Sequence, residues 1–270
     1  MEFYGILGEK LGHSLSPRIH KMIFETIGVE GAYKLFEVPK DKLELFTDAM
    51  KVLNIKGSNV TIPYKEKVMD YLDFVSKEAE DIGAVNTIVL ENGKLYGYNT
   101  DYYGFGYMLT IHNVETKDSI AVILGSGGAS KAVLHYLLDA GCRKVYVATR
   151  DVLKCKKLCN RRVEYISYED LTRIKGNIII NTTPIGMFPN DDQCPISDEI
   201  INNFDTIVDI VYNPTKTKLL LHGEKLEKKV VGGLYMLIGQ GVRAEELWQK
   251  RTIDETVIKD IYEVLNREFS

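Results

Sequence analysis

The chain has 270 residues, of which 45% are hydrophobic and 27% charged, and it carries a formal net charge of −4. This composition is typical of a globular protein with one large domain or two of ordinary size, and the lack of a basic excess argues against nucleic acid as a partner. No uncharged apolar run approaches the roughly 18 residues that a membrane-spanning helix needs, so we expect no membrane insertion.

The cysteines and the start of the chain both indicate a cytoplasmic protein. Cys155 and Cys159 lie close together, but no second pair of cysteines or histidines lies nearby in the sequence, so we expect no metal site. With Cys142 and Cys194 they are expected to be free thiols in a reducing compartment. Residue 2 is acidic and no basic-then-apolar order follows, so we expect no signal peptide.

Strands and helices alternate in the first hundred residues. A helix is predicted from Pro17 to about Ile27, with Ser16 as its N-cap and Gly28 as its stop, because serine caps helices and proline starts them. Capping leaves Ser14 unexplained. The other predicted elements are strands at residues 3–8, 33–38 and 56–63, a helix at residues 40–53, and a hairpin at residues 84–99 around Glu91, Asn92 and Gly93.

The pattern changes in the second half of the chain. Residues 119–150 read as a strand, a glycine-rich turn, a helix and a second strand, which is the βαβ unit of a nucleotide-binding domain. The later predicted elements are buried parallel strands at residues 177–181, 206–211 and 230–231, and helices at residues 234–250 and 254–267. We therefore expect an α/β protein with two domains, an N-terminal mixed α/β domain and a C-terminal Rossmann domain separated by a cleft.

The segment GSGGAS (125–130) follows an apolar run and precedes a helix predicted to begin at Ala129. Its glycines stand where a tight turn and a close backbone approach to a pyrophosphate require them, although Ser130 replaces the third glycine of the usual G-x-G-x-x-G pattern. The segment therefore predicts a dinucleotide phosphate site at a helix N-terminus.

The residues after the second strand of this unit bear on the choice between NADP and NAD. Arg150 favours NADP, because a guanidinium binds the 2′-phosphate, whereas the adjacent Asp151 favours the ribose hydroxyls of NAD. Lys154 adds a cation one turn later. Both cofactors stay open on these residues, with NADP favoured by Arg150.

Several polar residues near predicted strand ends have no packing role of their own. Thr61 lies within a predicted strand and faces away from its apolar neighbours. Lys65 is either a solvated lysine or a site residue, and Asp101 is either a helix cap or a functional carboxylate. Such residues suit a hydroxylated ring that carries a carboxylate. Hydroxyls and an amide bind the hydroxyls of the ring, a lysine attracts or protonates an oxygen, and a carboxylate of the protein pairs with that lysine. The set comprises Ser14, Ser16, Thr61, Lys65, Asn86 and Asp101.

Eight motifs, in order and in spacing, resemble the shikimate dehydrogenase family over almost the whole chain. They are SLSP (14–17), NVTIPYK (59–65), GAVNT (83–87), NTD (99–101), GSGGAS (125–130), NTTPIGM (181–187), VYNPTKTKLL (211–220) and GGLYMLIGQG (232–241). The resemblance implies a reversible, NADPH-dependent reduction of 3-dehydroshikimate to shikimate in chorismate and aromatic amino acid biosynthesis.

The resemblance also implies roles for individual residues. Lys65 and Asp101 form the catalytic pair, and Ser14 and Ser16 bind the substrate carboxylate. The residues implied to contact the hydroxylated ring are Thr61, Asn86, Asp101, Tyr212 and Gln240. The residues implied to contact NADP are Gly125, Ser126, Gly127, Gly128, Ala129, Thr149, Arg150, Lys154, Ile210 and Gly233.

On the same grounds we place a substrate-binding and catalytic domain at residues 1–101, an NADP-binding Rossmann domain at 102–238, and helices that pack back on the first domain at 239–270. The expected partners are a small-molecule substrate and the cofactor, with the chain acting as a monomer or a homodimer.

Three alternative functions stay open. A quinate/shikimate dehydrogenase using NAD is motivated by Asp151. A non-catalytic relative would lack Lys65 or Asp101. A folate-linked dehydrogenase fits the SLSP and NVTIPYK motifs poorly.

Overall fold

The computed structural model describes residues 1–12, 14–153 and 160–269, so the expectations for Lys154, Cys155 and Cys159 fall outside this part of the chain. The chain divides into two compact units. The first comprises Met1–Gly104 and Ile238–Glu263, and the second comprises Phe105–Leu237 and the end of the chain from Val264. Among the described residues, no helix has the length and apolar character needed to cross a membrane.

The first unit is built on a mixed sheet. In chain order its strands and α-helices are β1 Glu2–Gly8, α1 Ser16–Ile27, β2 Gly31–Glu37, α2 Leu43–Val52, β3 Gly57–Val60, β4 Phe74–Val75, α3 Lys77–Ile82, β5 Thr87–Glu91, β6 Lys94–Tyr98 and α4 Thr100–Ile111, the last of which continues into the second unit. The strand order is β2-β1-β3-β5-β6-β4, with β1 parallel to β2 and β3, and β5 antiparallel to β3 and β6. Because β5 runs opposite to β3, the start of β5 lies at the edge where β1 and β3 end.

The predicted hairpin is confirmed between β5 and β6. Asn92 and Gly93 have positive φ angles of 51° and 74°, as a two-residue type I′ turn requires. This turn sets a register in which Thr87 faces Tyr98. The start of β5 is thereby fixed beside the start of α4, which follows β6 directly.

The second unit is a doubly wound parallel sheet. Its strands and α-helices are β7 Ile120–Leu124, α5 Gly128–Asp139, β8 Lys144–Ala148, β9 Val163–Ile166, β10 Ile178–Asn181, α6 Asp198–Ile201, β11 Thr206–Asp209, α7 Lys218–Lys225 and β12 Lys229–Gly232. The strands pair in parallel in the order β12-β11-β10-β7-β8-β9, which is the Rossmann order. Ala121 and Ile123 pack in one core cluster while Val122 and Leu124 pack in another. β7 is therefore buried on both faces, as its unbroken apolar run predicts.

The two predicted closing helices are confirmed as α8, Leu234–Gln249, and α9, Thr256–Phe269. From Ile238 onward α8 belongs to the first unit. There Trp248 stacks on Tyr4 of β1, with ring centroids 5.0 Å apart. The second half of α8 thus covers one face of the mixed sheet.

The predicted cap of α1 is wrong by one residue. The helix begins at Ser16 itself, and its N-cap is Leu15, whose carbonyl accepts the Ile19 N–H at 3.0 Å. The Leu15 backbone is already close to helical, with φ −81° and ψ −8°. The helix therefore begins one residue earlier than the predicted start at Pro17. Gly28 ends it with a φ of 68°, as expected.

Other predicted boundaries also differ from those in the structure. β3 ends at Val60, and Thr61 lies in the turn that follows, because Pro63 has no N–H to continue the ladder. α5 begins at Gly128, one residue before the predicted start at Ala129. The helix predicted at residues 40–53 is a short 3₁₀ segment followed by α2.

Candidate functional site

Lys65 and Asp101 form a buried ion pair in the first unit. Lys65 lies in the turn after β3, and Asp101 is the second residue of α4. Lys65 Nζ lies 2.5 Å from Asp101 Oδ2, and the side chains are 14% and 3% exposed. Lys65 is therefore not a solvated lysine. Asp101 is not the cap of α4, because Asn99 accepts the Tyr102 N–H at 3.3 Å in that role.

Asn86 lies next to this pair and holds the start of α4. It is 2% exposed and directly precedes β5. Its Nδ2 lies 3.0 Å from Asp101 Oδ1, 3.1 Å from Thr100 Oγ1 and 3.2 Å from Gln240 Oε1. Its Oδ1 accepts the Thr100 N–H at 2.7 Å. One amide thus links β5, α4 and α8, and brings Gln240 to the Lys65–Asp101 pair.

The two serines and Thr61 lie at the same edge of the mixed sheet. Ser14 and Ser16 are half-buried at the start of α1, and Ser14 Oγ accepts the Ser16 N–H at 3.3 Å. This bond uses a lone pair of Ser14 and leaves its O–H proton for another acceptor. Thr61 follows β3, and its N–H donates to the Leu7 carbonyl at 2.9 Å. The polar set predicted from the sequence is therefore gathered where β1 and β3 end and β5 begins.

Sequence reasoning missed the residues that connect this set. Tyr33 OH donates to Asn59 Oδ1 at 2.7 Å, and Asn59 Nδ2 donates to Thr87 Oγ1 at 3.1 Å. Thr87 Oγ1 in turn donates to Asn86 Oδ1 at 3.0 Å. Asn59 and Thr87 face each other in the register of β3 and β5. The available signal was a polar residue in each strand, but only the strand pairing shows that the two meet.

The glycine-rich turn of the second unit fits a dinucleotide pyrophosphate. Gly125 has a φ of 105°, a conformation that glycine adopts without strain. A Cβ built on Gly127 meets nothing within 4 Å, so the backbone is open to a ligand there. Gly127 is also the N-cap of α5 and offers no side chain to the first N–H groups of the helix. These groups and the helix dipole favour an anion at this position.

The end of β8 borders the same turn. Ser126 Oγ lies 3.1 Å from Thr149 Oγ1, which ties the turn to the residue after β8. Arg150 follows Thr149 and is exposed. The structure therefore places the two predicted adenosine-side residues Thr149 and Arg150 beside the predicted pyrophosphate turn.

Three further predicted residues lie in the second unit, near the ends of β11 and β12. Gly233 packs against Ile210 so closely that an added Cβ would lie 2.2 Å from the Ile210 carbonyl oxygen. Tyr212, predicted to bind substrate, is half-buried two residues after Ile210. The remaining predicted substrate residues all belong to the first unit.

Asp209 is a buried carboxyl inside a run that reads as an apolar strand. It accepts from Thr217 Oγ1 at 2.7 Å, from the Val211 N–H at 3.0 Å and from Asn181 Nδ2 at 3.0 Å. Burial raises the pKa of Asp209 to about 7, and the three hydrogen bonds oppose that rise. The group joins the segments that follow β10 and β11, including the one that carries Ile210 and Tyr212.

Stability should therefore depend on pH through Asp209. Its folded pKa of about 7 exceeds the ordinary 3.8, so the folded state binds the proton more tightly. The contribution to the free energy of unfolding is fully present below about pH 4 and is lost as pH rises through about 7. Asp209→Asn should remove roughly 2 kcal/mol of the decline between about pH 5 and pH 7.5. Urea unfolding at a series of pH values checks this, and parallel pH profiles for the two proteins would contradict it.

Comparisons with known proteins agree over both units. Residues 6–88 match the family model of the shikimate dehydrogenase substrate binding domain, and residues 109–184 match that of shikimate / quinate 5-dehydrogenase. A shikimate dehydrogenase (NADP(+)) of Clostridium beijerinckii is 52% identical, with 100% of both chains covered. The crystal structure of shikimate dehydrogenase 1 from Peptoclostridium difficile is 50% identical with a TM-score of 0.95, covering 100% of this chain and 99% of that one. A shikimate 5-dehydrogenase from Thermus thermophilus, in complex with NADP(H) and shikimate, is 32% identical with a TM-score of 0.87, covering 96% of this chain and 98% of that one.

Proposed function

The chain belongs to the shikimate dehydrogenase family, and we propose that residues of its first unit carry the acid–base chemistry of the reaction. The reaction is the reversible, NADPH-dependent reduction of 3-dehydroshikimate to shikimate, in aromatic amino acid biosynthesis. The observation that carries the proposal is the buried pair of Lys65 and Asp101 at 2.5 Å, with Asn86 and Gln240 beside it.

Lys65 is the group that stabilises the negative charge formed on the substrate during reduction. NADPH, held by the second unit, would supply the hydride for the carbonyl carbon of the substrate, and negative charge would then develop on the carbonyl oxygen. The Lys65 ammonium stabilises that charge most where it develops, and its Nζ proton completes the new hydroxyl. Asp101 holds the ammonium in place, and Asn86 holds Asp101 through Oδ1.

We assign the remaining substrate contacts from the family motifs and from the position of these residues where β1 and β3 end and β5 begins. Ser14 and Ser16 bind the carboxylate at the start of α1, where helix N–H groups also favour an anion. The proposed contacts to the ring and its hydroxyls are Thr61, Asn86, Asp101, Tyr212 and Gln240. Asn86 and Gln240 already lie within hydrogen-bonding distance of each other, which supports a shared role.

Ser14 offers a direct test of the carboxylate assignment. Ser14→Ala should raise the KM for shikimate roughly 10- to 100-fold, because a hydrogen bond to a charged group is lost, and α1 should survive because Ser14 lies outside it. Steady-state kinetics and circular dichroism measure the two effects.

Ser76→Ala is the matched control, since Ser76 Oγ caps α3 of the same unit by accepting the Ala79 N–H at 3.2 Å. This control should lower the melting temperature and leave the KM for shikimate unchanged. An unchanged KM in Ser14→Ala would remove Ser14 from the carboxylate site.

The cofactor of the enzyme is NADP. We assign its pyrophosphate to the turn formed by Gly125, Ser126, Gly127, Gly128 and Ala129. We assign its adenosine ribose and 2′-phosphate to Thr149, Arg150 and Lys154, and the surroundings of its nicotinamide to Ile210 and Gly233. The open backbone at Gly127 and the exposed Arg150 after β8 support these positions.

A second candidate activity is quinate/shikimate oxidation with NAD, favoured by Asp151 directly after Arg150. Shikimate and quinate should each be assayed with NADP and with NAD, following absorbance of the reduced cofactor. Oxidation of shikimate with NADP well above every other combination is the expected result. Faster oxidation with NAD would favour the second candidate.

We assign a separate role to each of the proposed domains. Residues 1–101 bind substrate and hold the catalytic pair, and residues 102–238 bind NADP. Of the proposed third segment, 239–270, the part up to Glu263 belongs to the first unit and the end from Val264 to the second. We further propose that the enzyme is cytoplasmic and acts as a monomer or a homodimer. Size-exclusion chromatography with light scattering distinguishes these two states.

A further inference from the structure

Three polar residues are buried together in the second unit, where the parallel strands end, and the acid–base chemistry described above uses none of them. They are Asn181, Asp209 and Thr217, and each is 0% exposed. Asn181 ends β10 and Asp209 ends β11, and the two are partners in the register of these strands. Burying polar groups and a carboxyl is costly compared with apolar packing, so their contacts point to a role other than filling the core.

Asn181 holds the segment after β10. Its Oδ1 accepts from the Thr183 N–H at 3.0 Å and from Thr183 Oγ1 at 2.7 Å, and its Nδ2 donates to the Ile185 carbonyl at 3.2 Å. Within this segment, Thr182 donates its N–H at 3.0 Å and its hydroxyl at 2.7 Å to the carbonyl of Leu124, the residue before the glycine-rich turn. The segment after β10 is therefore tied to that turn.

The position of these bonds in the sheet is the one where doubly wound folds bind ligands. The chain runs outward from β7 through β8 and β9, and then returns to the other side of β7 with β10. The strand order thus reverses between β7 and β10, and ligands bind in the crevice outside the carboxyl ends of the strands at such a point. The residues that follow β10 and β11 border this crevice.

Asp209 holds the segment after β11 through one of its oxygens. Its Oδ1 accepts from the Val211 N–H at 3.0 Å and from Asn181 Nδ2 at 3.0 Å, whereas Oδ2 accepts from Thr217 Oγ1 at 2.7 Å. Val211 is buried, so loss of Oδ1 would leave its N–H unsatisfied unless the backbone shifted toward water. Asp209 Oδ1 is therefore the atom that joins the segment after β11 to Asn181.

The backbone on both sides of this bond carries the residues that we assign to the nicotinamide. The Ile210 N–H donates to the Asn181 carbonyl at 3.1 Å, and the Gly233 N–H donates to the Val211 carbonyl at 3.3 Å. An added Cβ on Gly233 would lie 2.2 Å from the Ile210 carbonyl oxygen, so Ile210 and Gly233 are in close contact. A shift of the Val211 backbone would therefore move both residues.

We propose that Asp209, through Oδ1, is a positioning residue that holds the backbone of Ile210 and Val211 in place for the nicotinamide half of NADP. The inference rests on the proposed function, because it takes Ile210 and Gly233 as the surroundings of the nicotinamide. The adenosine half is assigned to the glycine-rich turn and the end of β8, which other hydrogen bonds hold together. The effect of Asp209 thus belongs to one half of the cofactor.

The test is Asp209→Ala, which removes Oδ1, with binding measured by isothermal titration calorimetry on the full chain. The Kd for NADP should rise roughly tenfold, because the hydrogen bond that orders the nicotinamide surroundings is lost. The Kd for 2′,5′-ADP, which has the adenosine and the 2′-phosphate but no nicotinamide, should keep its wild-type value. A general loss of folding would weaken both ligands instead.

Asp209→Asn is the conservative variant that should restore binding. Its Oδ1 can accept from the Val211 N–H and from Asn181 Nδ2, and its Nδ2 can donate to Thr217 Oγ1. Burial raises the pKa of Asp209 to about 7, so the site already accommodates an uncharged side chain near neutral pH. The Kd for NADP in Asp209→Asn should therefore return close to the wild-type value.

Ile207→Val is the matched control for stability. Ile207 lies on β11 two residues before Asp209 and is 0% exposed, so the substitution removes buried apolar contacts from the same strand. It removes no hydrogen bond at the carboxyl end of the sheet. The melting temperature should fall, and the Kd values for NADP and for 2′,5′-ADP should both stay unchanged.

The outcomes separate the inference from the function on which it rests. A wild-type Kd for NADP in Asp209→Ala, an equal rise for NADP and 2′,5′-ADP, or an Asp209→Asn variant that binds NADP as weakly as Asp209→Ala would each overturn the positioning role. A wild-type enzyme that binds NADP but does not oxidise shikimate would instead overturn the proposed function, and the binding comparison would still decide the role of Asp209.

Discussion

Lys65→Ala is expected to lower kcat for shikimate oxidation by roughly 10²- to 10⁴-fold, the range that a positioned acid–base group contributes, with a smaller change in KM. The ammonium lies 2.5 Å from a carboxylate that is 3% exposed, so it is held in one place rather than free to move in solvent. Removing it takes away both the proton and the stabilisation of charge on the substrate oxygen. Steady-state kinetics over a range of shikimate and NADP concentrations measures the split between kcat and KM.

Loss of Lys65 also leaves Asp101 buried without its cation, so a fall in melting temperature is expected alongside the kinetic effect. Adding Asp101→Asn to Lys65→Ala should restore stability and leave kcat low, which separates folding from chemistry. Lys67→Ala is the matched control, since Lys67 follows two residues later, is 64% exposed and pairs with Asp70. A kcat near the wild-type value in Lys65→Ala would exclude Lys65 from the reaction.

Arg150→Ala is expected to raise the KM for NADPH by roughly 10- to 100-fold, because charge-assisted hydrogen bonds to the 2′-phosphate are lost. The KM for NADH, which has no 2′-phosphate, should change little. Arg150 follows β8 directly and is exposed, so the substitution disturbs no core packing. Initial rates of 3-dehydroshikimate reduction with each cofactor measure the two values.

Arg143→Ala serves as the control for this prediction. Arg143 is an exposed arginine just before the other end of β8, away from the glycine-rich turn. It should leave both cofactor KM values unchanged. Equal increases for NADPH and NADH in Arg150→Ala would mean that Arg150 does not recognise the 2′-phosphate, and Asp151 would then carry more weight in cofactor choice.

The regular elements were predictable wherever a local pattern determines the conformation. The apolar run of β7, the Asn92-Gly93 turn and the stop at Gly28 each follow from a few adjacent residues. The boundaries of the elements were less predictable, because they depend on backbone dihedral angles and hydrogen bonds that residue type alone does not determine. Leu15 is the N-cap of α1 and Ser16 is its first helical residue, although serine is the more favourable residue type at an N-cap position.

The connections within the candidate site were not predictable, because they join distant parts of the chain. Tyr33 and Asn59 are 26 residues apart, and Asn86 and Gln240 are 154 apart. Strand pairing and the return of α8 to the first unit bring them together. Asp209 was missed for a different reason: a single acid among isoleucines and valines reads as part of a strand until its three donors are seen.

The amide of Asn86 bears on how substrate range can change. Its Nδ2 has two hydrogens but three acceptors within 3.2 Å. One of the three acceptor oxygens can therefore accept from a ligand hydroxyl while Asn86 keeps both of its donated hydrogen bonds. Asp101 is a member of the acid–base pair and Thr100 is its neighbour on α4, whereas Gln240 comes from α8. On the proposed role of Gln240 as a ring contact, we expect substitution of Gln240 to alter the preference among polyhydroxylated rings and to leave the proposed Lys65–Asp101 pair intact.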